Sequence, residues 1–337
     1  MLHFTKGDGL ADFTHRELQG KTYAAPTFII DPYIPAGGSV FLWGNTSIGK
    51  SPLTWHLVQA AATGTSFFGL PTPAAVKVLY LELDTPEISV VPRLMKLPSP
   101  PGGSDWMDRV TWVFDEHFVV PPILTARCDT SKRLEELREK VDPAFVIVNT
   151  ARKVHQLDDK DSKTPSMVYN YFKIMFPGAA TLFVHHERKH STNPDAHEVQ
   201  EESFSGSKAW SNDAQVGLHL MSYKGKGGKA NLRLYHVKTQ ISEKVRPLEL
   251  KLEEDGTTMT CHMFEEYKQV YEIFHAWEGE KREFDKSVSK QLGIGEATVR
   301  RRRLDIESGK WPGTRHWLGR LDKSARDEEG FEDDHHD

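Results

Sequence analysis

Continuous apolar runs alternate with segments of helical spacing through the first two thirds of the chain. The runs are short and rich in Val, Ile, Leu and Phe, a pattern typical of strands that are buried on both faces. They cover residues 39–43, 76–84, 109–114, 142–149 and 180–186. Helices are predicted at residues 53–62, 131–140 and 167–176. This alternation predicts an α/β fold with a parallel sheet between two layers of helices.

The pattern changes near residue 215, where alternating apolar and polar positions replace the continuous runs. The segments 216–223, 230–238 and 246–252 predict strands around the basic glycine turn 224–229, and we expect them to extend the sheet as an antiparallel edge. An amphipathic helix is predicted at 264–275. Residues 284–303 then give a helix, a turn at 293–295 and a second helix, which resembles a helix-turn-helix.

These changes divide the chain into four predicted parts. Residues 1–27 are mixed and polar, and we interpret them as an N-terminal arm. Residues 28–262 form the α/β domain, and residues 263–320 form a small C-terminal helical module. Residues 321–337 are charged and end in acids, so we expect a disordered acidic tail.

The composition narrows the class of protein. The net charge is −5 over 337 residues, so any contact with nucleic acid must come from a local basic patch. Two cysteines, Cys128 and Cys261, give neither a disulfide framework nor the spacing of a zinc site. No apolar run reaches membrane-spanning length, and the first residues lack the pattern of a secretory signal. We therefore expect a cytoplasmic protein without a membrane partner.

The strongest chemical signal lies between the first predicted strand and the first predicted helix. The motif G-x-x-x-x-G-K-[ST] is complete there, and a strand before it and a helix after it are the context of a phosphate-binding loop. Its residues are Gly44, Asn45, Thr46, Ser47, Ile48, Gly49, Lys50 and Ser51. We expect the two glycines to adopt backbone angles that a Cβ would forbid. Backbone N–H groups of the loop and of the helix N-terminus would bind phosphates, Lys50 would reach the β- and γ-phosphates of ATP, and Ser51 would bind Mg²⁺.

Polar side chains end three further predicted strands. Glu82 and Asp84 close the second strand, Asn149 closes a central strand, and His186 closes the next one. Ligands of parallel sheets bind outside the carboxyl ends of the strands. The sequence therefore predicts that four strands deliver polar groups to one edge of the sheet, beside the loop.

Residues 37–252, roughly two thirds of the chain, resemble the RecA-like ATPases. The resemblance is strongest to the plasmid RepA-type hexameric replicative helicases and their phage and mobile-element relatives. It rests on an ordered set of blocks that follow the loop. These are AATGTSFFGLP, VLYLELD, DPAFVIVNT, LFVHHERK and FSGSKAW. The resemblance implies a RecA-like core, ATP as substrate, Mg²⁺ as cofactor, a homo-oligomeric ring and single-stranded DNA as partner.

In that family, an acid at the end of the second strand orients the attacking water. The matching residue is Asp84, where glutamate is usual, and Glu82 and Glu87 lie nearby as substitutes. The alternative for Glu82 is a solvated strand residue. The resemblance also implies a Mg²⁺ site at Ser51 and at a strand-end aspartate, which here is the neutral Asn149. Loop acids that could compensate are Asp158, Asp159 and Asp161.

The resemblance assigns two further catalytic positions. His186 would sense the γ-phosphate and relay its presence to DNA-binding loops. Lys238 resembles a residue that reaches the nucleotide of the neighbouring subunit, where a cation stabilises charge on the transferred phosphoryl group. The family often places an arginine two positions later, but Gln240 stands there, and Arg246 is the candidate that could serve instead. The alternative for Lys238 is an ordinary edge-strand lysine.

DNA contacts are expected at the basic glycine turn 224–229 and at two further places. The polar segment 187–207 falls where RecA-like rings present a DNA-facing loop. The candidates around it are Arg188, Lys189 and Lys208. The second place is a run of arginines in the last predicted helix, which suits phosphate contacts better than base reading. These are Arg300, Arg301, Arg302 and Arg303. The alternative for the arginines is a helix surface that docks on the ATPase domain or on a partner.

The sequence thus predicts an ATP-hydrolysing motor on DNA, a ring-forming, hexameric replicative helicase of a phage or mobile element. Two alternatives stay open. One is a RecA-like recombination or repair ATPase that coats DNA without unwinding it. The other is a nucleotide-gated DNA-binding regulator with weak hydrolysis, which Asn149 and the predicted helix-turn-helix favour.

Overall fold

The computed structural model describes residues 25–308 with several gaps. The gaps are residues 101–105, 116, 121–127, 159, 187–207, 223–230, 243, 246 and 262, and the side chains of residues 264, 265 and 282 are not described either. The predicted tail 321–337 and nearly all of the predicted arm 1–27 therefore lie outside the described residues. The segment 187–207 and the turn 224–229, where we expect contact with DNA, also lie outside them.

Strands and helices alternate along the described residues as the apolar pattern predicts. The strands are β1 (Phe28–Ile30), β2 (Ile34–Pro35), β3 (Ser39–Gly44), β4 (Val78–Glu82), β5 (Val110–Phe114), β6 (Phe145–Asn149), β7 (Ala180–His186), β8 (Val216–Ser222), β9 (Leu232–Thr239), β10 (Leu248–Leu252) and β11 (Met259–Thr260). The α-helices are α1 (Lys50–Thr63), α2 (Glu87–Leu94), α3 (Asp129–Val141), α4 (Lys163–Met175), α5 (Ala209–Asp213), α6 (Met263–His275), α7 (Lys281–Leu292) and α8 (Glu296–Glu307). A short 3₁₀ helix, Ala151–Lys153, follows β6.

One large sheet organises the described residues. Its strand order is β11-β10-β9-β8-β3-β7-β6-β4-β5, and the pairs from β8 to β5 are parallel. The strands β9, β10 and β11 add antiparallel pairs at one edge. The predicted α/β class is confirmed, and the sheet is consistent with the RecA-like core that the resemblance implies.

The strand β8 differs from the expectation. Alternating positions in 216–223 placed it among the antiparallel edge strands, but it pairs in parallel with β3. Parallel neighbours need a crossover of a dozen or more residues, and the chain between His186 and Val216 is long enough to supply one. The antiparallel edge therefore begins at β9.

Two apolar layers cover the sheet, because successive strand residues point to opposite faces. One layer contains Leu42, Tyr80 and Ile147 and packs against α1. The other contains Phe41 and Val148 and packs against α3, α4 and α5. Helix α1 is buried on almost every side, as expected for a helix that lies between a sheet and further structure.

The edge strand β11 lies against α1. The backbone N–H of Met259 donates to Nε2 of His56 in α1 at 2.9 Å. Burial lowers the pKa of His56 to about 4, so the ring is neutral at neutral pH and its Nε2 can accept this bond. The hydrogen bond ties the antiparallel edge of the sheet to the helix that follows the predicted phosphate-binding loop.

The last three helices form a module with a shared apolar centre. Val270 of α6, Phe284 of α7 and Val299 of α8 are buried in it. Helix α7 ends at Gly293, whose φ of 64° suits glycine, and α8 begins after Gly295. These apolar side chains belong to the same cluster as the α1 layer of the sheet, so the module and the α/β domain share one core.

Two of the four consecutive arginines are buried in this module. Arg302 is 2% exposed, forms an ion pair with Glu266, and lies 5.1 Å from the ring centroid of Tyr267. Arg303 is 6% exposed and donates to both carboxylate oxygens of Asp285, at 2.9 and 3.0 Å. Both guanidinium groups therefore neutralise acids inside the module.

The expectation of four DNA-facing arginines needs a correction on this point. Helical periodicity turns Arg302 and Arg303 inward, so their guanidinium groups are not on the surface. Arg300 is exposed, and Arg301 is half-exposed with its guanidinium 3.7 Å from the carboxylate of Glu249 in β10. Of the four arginines, only Arg300 and Arg301 keep the prediction of DNA contact. The ion pair of Arg301 with β10 agrees with the alternative that this helix surface docks on the ATPase domain.

No helix in the described ranges combines the length and the apolar character that crossing a bilayer requires.

The buried pair of Arg303 and Asp285 gives a stability prediction. Arg303→Ala leaves the buried Asp285 carboxylate without its partner, so we expect a loss of about 3–5 kcal/mol in the free energy of unfolding. Denaturant titration measures it. The control is Arg300→Ala, which removes an exposed arginine of the same helix and should change stability by less than about 0.5 kcal/mol. Equal losses for the two variants would contradict the structural role of Arg303.

Candidate nucleotide-binding site

The predicted phosphate-binding loop joins β3 to α1 as the motif requires. Gly49 stands at the N-cap of α1 with a φ of 108°, a backbone angle that strongly favours glycine. Gly44 is needed for another reason, because a Cβ on it would lie 2.4 Å from the carbonyl oxygen of Leu220 in β8. The expectation about backbone angles is therefore correct for Gly49. For Gly44 the constraint is the close approach of the neighbouring strand.

The loop presents the groups that a polyphosphate needs. Asn45, Thr46 and Ser47 are exposed at its tip, and the 14-residue helix α1 begins directly after Gly49. The N-terminus of such a helix has unsatisfied N–H groups and the positive end of the helix dipole. The Nζ of Lys50 donates to the carbonyl oxygens of Gly44 and Asn45, each at 2.8 Å, so its charge is held over the loop.

The polar strand ends meet at one edge of the sheet, as the sequence predicts. In the parallel register, Gly44 of β3 lies beside His186 of β7, and Glu82 of β4 lies beside Asn149 of β6. Strand β7 also pairs with β6, so the four strand ends follow one another along the rim. His186 shares a face with Val184 and Leu182, which lie in the α1 layer. The rim and the loop therefore belong to the same side of the sheet.

Asp84 is the accessible acid at this rim. Its carboxylate lies 3.7 Å from Nε2 of His186, and both side chains are about a third exposed. The interaction with His186 is the main cause of a lowered pKa for Asp84, and the charges of Lys153 and Lys50 lower this pKa further. Asp84 is therefore ionised at neutral pH and open to water.

Lys153 is a residue of this site that the sequence did not predict. It lies in the 3₁₀ helix Ala151–Lys153, four residues after the polar end of β6, and its charge acts on Asp84. Its position directly after a predicted strand end was the signal that could have found it. The residue adds a second cation to the surroundings of Asp84.

Glu82 is buried, which corrects the alternative that it is a solvated strand residue. Only 1% of it is exposed. Its Oε2 accepts a hydrogen bond from Nδ2 of Asn149 at 2.8 Å, and its Oε1 accepts from the backbone N–H groups of Asp84 and Thr85 at 3.3 and 3.1 Å. Burial raises the pKa of Glu82 to about 7. Two acids only two residues apart thus have opposite pKa shifts.

A Mg²⁺ ion would fit the site together with a nucleotide. No group of three or more His, Cys, Asp and Glu side chains that could hold a metal occurs among the described residues. Mg²⁺ needs no such group, because it usually keeps several waters and binds one or two protein ligands plus substrate phosphates. The protein ligands here would be Ser51, in the first turn of α1, and Asn149, directly or through water.

Two of the loop acids that could compensate for Asn149 have local hydrogen-bond partners. Asp158 accepts a hydrogen bond from the backbone N–H of Lys160, and Asp161 accepts one from that of Lys163 at the start of α4. Asp159 lies outside the described residues. Glu87 is exposed in the first turn of α2, where an acid complements the helix dipole.

Lys238 lies on β9, away from the loop of its own chain, and has partners there. Its Nζ donates to the carbonyl oxygens of Ser211, Asn212 and Ala214, around the C-terminal end of α5. Lys208 is exposed and lines the same polar cavity. Arg246, Arg188 and Lys189 lie outside the described residues, so their roles stay predictions.

The raised pKa of Glu82 gives a prediction for stability against pH. Its pKa in the folded chain is about 7, against an ordinary value of 4.5, so the folded state binds this proton more tightly than the unfolded state. The contribution of Glu82 to the free energy of unfolding is therefore most favourable below pH 4.5. It falls by an amount on the order of 3 kcal/mol as the pH rises to 7. Glu82→Gln removes this dependence.

Denaturant titrations between pH 4.5 and 8 measure the effect. Relative to the natural chain, Glu82→Gln should gain stability as the pH rises and then level off above pH 7. Glu136→Gln, at an exposed position of α3, is the matched control and should show no such trend. Parallel curves for Glu82→Gln and the natural chain would contradict the burial of an ionisable Glu82.

Comparison with known proteins places this site in a family. The AAA domain family matches residues 10–192, which contain the whole loop, both strand-end acids, Asn149 and His186. No curated protein sequence matches the chain. Among solved structures, the chain is similar to a KaiC-like protein of the hyperthermophilic archaeon Pyrococcus horikoshii OT3, at 10% identity and a TM-score of 0.45, with 70% of this chain and 95% of that chain covered. It is also similar to a second solved structure, an ATPase domain, at 10% identity and a TM-score of 0.48, with 66% and 84% covered.

The family match decides the affiliation. It spans more than half of the 337 residues and includes every polar strand end that the sheet brings to the loop. This chain is therefore a member of the AAA domain family.

Proposed function

We propose that this chain is an ATP-hydrolysing motor that acts on DNA in the cytoplasm as a ring of identical subunits, a hexamer. We further propose that it is a replicative helicase of a phage or mobile element, similar to the plasmid RepA type. One observation supports the nucleotide chemistry above all others. The loop with Lys50, the accessible Asp84 and the polar end of β7 at His186 meet at one rim of the sheet.

The surroundings of Asp84 suit the orientation of water. An ionised carboxylate accepts a hydrogen bond from a water molecule and can direct its lone pair toward a phosphorus atom. His186 and the nearby lysines keep Asp84 ionised at neutral pH, and its partial exposure admits water. The shorter side chain of this aspartate thus presents a carboxylate that is charged at neutral pH.

Lys50 and the magnesium ligands would act on the phosphates. Lys50 rests on two carbonyl oxygens of the loop, and the oxygens of a polyphosphate are stronger acceptors for an ammonium group. Mg²⁺, held by Ser51 and Asn149, would neutralise charge on the phosphate groups. The helix N-terminus adds dipole stabilisation of the same charge.

Contact with DNA and with neighbouring subunits is assigned to cations on the surface. Arg300 and Arg301 are the arginines of α8 that solvent reaches, and Lys208 is exposed beside α5. Lys238 would have to exchange its three carbonyl partners for the nucleotide of a neighbouring subunit. Ring formation would therefore include a local rearrangement around α5.

A second function is favoured by Asn149 and by the helical module. Without a carboxylate at the end of β6, turnover would be slow, and α7 and α8 with their short glycine connection resemble a DNA-binding helix pair. The chain would then be a regulator whose DNA binding is gated by ATP. The third candidate, a recombination or repair ATPase, hydrolyses ATP on DNA without unwinding it.

The unwinding of a forked duplex separates the three functions. The motor should separate the strands in the presence of ATP and Mg²⁺ with multiple turnovers, at a kcat of roughly 10 s⁻¹ or more. Electron microscopy with ATP and single-stranded DNA should show closed rings. Hydrolysis without strand separation would favour the recombination or repair ATPase. Nucleotide binding with turnover of about one per hour or less would favour the regulator.

Lys50→Ala tests the loop itself. The variant removes the cation that meets the β- and γ-phosphates, so we expect at least about a hundredfold weaker ATP binding and no measurable hydrolysis. Calorimetric titration and a phosphate-release assay measure the two. The matched control is Lys132→Ala on α3, whose side chain is 62% exposed, and it should behave as the natural chain does. Unchanged hydrolysis in Lys50→Ala would exclude the loop from the reaction.

A further inference from the structure

Glu82 and Asn149 form one unit on the α1 side of the sheet. They are paired in the register of β4 and β6, and strand alternation directs both to the same face as Tyr80 and Ile147. Glu82 is 1% exposed and Asn149 is 4% exposed. A carboxylate and an amide are thus buried side by side where the AAA domain of this chain has its phosphate-binding helix.

Short polar contacts connect β4, beside this unit, to the start of α1. The hydroxyl of Thr54 donates to the carbonyl oxygen of Ser51 at 2.8 Å, and it lies 2.8 Å from the hydroxyl of Tyr80. Because a hydroxyl has one hydrogen, Tyr80 must be the donor in the second bond. Tyr80 is followed on the same face of β4 by Glu82, the partner of Asn149. The contacts run from Ser51, the proposed magnesium ligand, to Tyr80, the neighbour of the Glu82–Asn149 pair.

The hydrogen bond to Glu82 fixes the orientation of the Asn149 amide. Its nitrogen donates to Oε2 of Glu82 at 2.8 Å, and a carboxylate oxygen can only accept. The remaining polar atom of the side chain is Oδ1, which can only accept. Glu82 is held in turn by the backbone N–H groups of Asp84 and Thr85.

We propose that Glu82 and Asn149 together replace the single aspartate that the site lacks. Glu82 is a positioning residue that holds the amide so that Oδ1 of Asn149 can accept a hydrogen bond from a Mg²⁺-bound water. It also supplies the negative charge for the ion, one hydrogen bond further away than usual. This inference rests on the proposed function, because it assumes that Mg²⁺ and a nucleotide bind at the loop.

The division of labour between the two acids of β4 follows from their surroundings. Asp84 is open to solvent and lies against His186, so it can meet the attacking water. Glu82 is enclosed and its two oxygens already have partners, so it cannot reach that water. It acts through Asn149. Groups that act through a ligand in this way change metal affinity by about 10–100-fold when they are removed.

Exchanging the acid and the amide between positions 82 and 149 tests whether the two residues act together. In Glu82→Gln, the amide of the glutamine can accept from the two backbone N–H groups, and Asn149 can turn over to accept its N–H. The pair then stays hydrogen-bonded, but the charge is lost and Asn149 presents its NH₂ group instead of Oδ1 to the metal-bound water. In the double variant Glu82→Gln with Asn149→Asp, the glutamine donates to the aspartate and the charge returns. Both variants keep the size of the natural pair.

Calorimetric titration of the full chain with ADP at about pH 8, where the Glu82 carboxylate is ionised, in excess Mg²⁺ and in EDTA, gives the increment in affinity that Mg²⁺ provides. For Glu82→Gln we expect this increment to fall about tenfold while the affinity in EDTA stays the same. For the double variant we expect it to return to within about threefold of the natural value. Glu136→Gln, exposed on α3, should equal the natural chain. If Glu82→Gln melts too early to be measured, the double variant alone carries the test.

Three outcomes separate the possibilities. An unchanged increment in Glu82→Gln overturns the inference, and so does a double variant whose increment stays as low as that of Glu82→Gln. An equal loss of ADP affinity with and without Mg²⁺ shows a merely structural role and also overturns it. No ADP binding by the natural chain would overturn the proposed function itself.

Discussion

The register of four parallel strands determines where every polar group of the candidate site lies. Strands β3, β7, β6 and β4 are neighbours, and Gly44, His186, Asn149 and Glu82 occupy their ends. A shift of one residue in any pair would turn a polar end to the opposite face, because strand side chains alternate. Both faces of the sheet are covered by closely packed layers, so a shifted strand would place side chains of the wrong shape in both of them. The chemistry thus depends on the burial that fixes the register.

The same strand produces two acids of different character. Asp84 and Glu82 are separated by one residue, yet one is accessible beside an imidazole and two lysines, and the other is enclosed beside a neutral amide. The first environment favours the charged form of a carboxylate, and the second disfavours it. The two acids therefore differ in their proposed roles because their surroundings differ, and not because one is aspartate and the other glutamate. Enzymes commonly separate the pKa values of neighbouring acids in this manner.

The sequence predicts the parts of this protein that follow from periodicity and from a motif with fixed geometry. The strand–loop–helix at Gly44–Ser51 and the meeting of strand ends belong to this class. It could not predict the orientation of β8, because an alternating pattern does not show which strand becomes the neighbour. Nor could it predict the burial of Glu82 and Arg303, because a charged side chain enters the interior only when a distant residue pairs with it. The steric constraint on Gly44 could not be predicted either, because the carbonyl oxygen that a Cβ would clash with belongs to Leu220, which is distant in the sequence.

The bond between His56 and Met259 has a mechanical consequence. Helix α1 starts at the loop, and its second turn is fastened to β11, which ends only three residues before the first helix of the C-terminal module. Motion of α1 along its axis would stretch this bond or carry β11 with it. A change in the loop would then reach Met263 through one helix, one hydrogen bond and a short piece of chain. Binding at the loop would in this way be coupled mechanically to the module that carries Arg300 and Arg301.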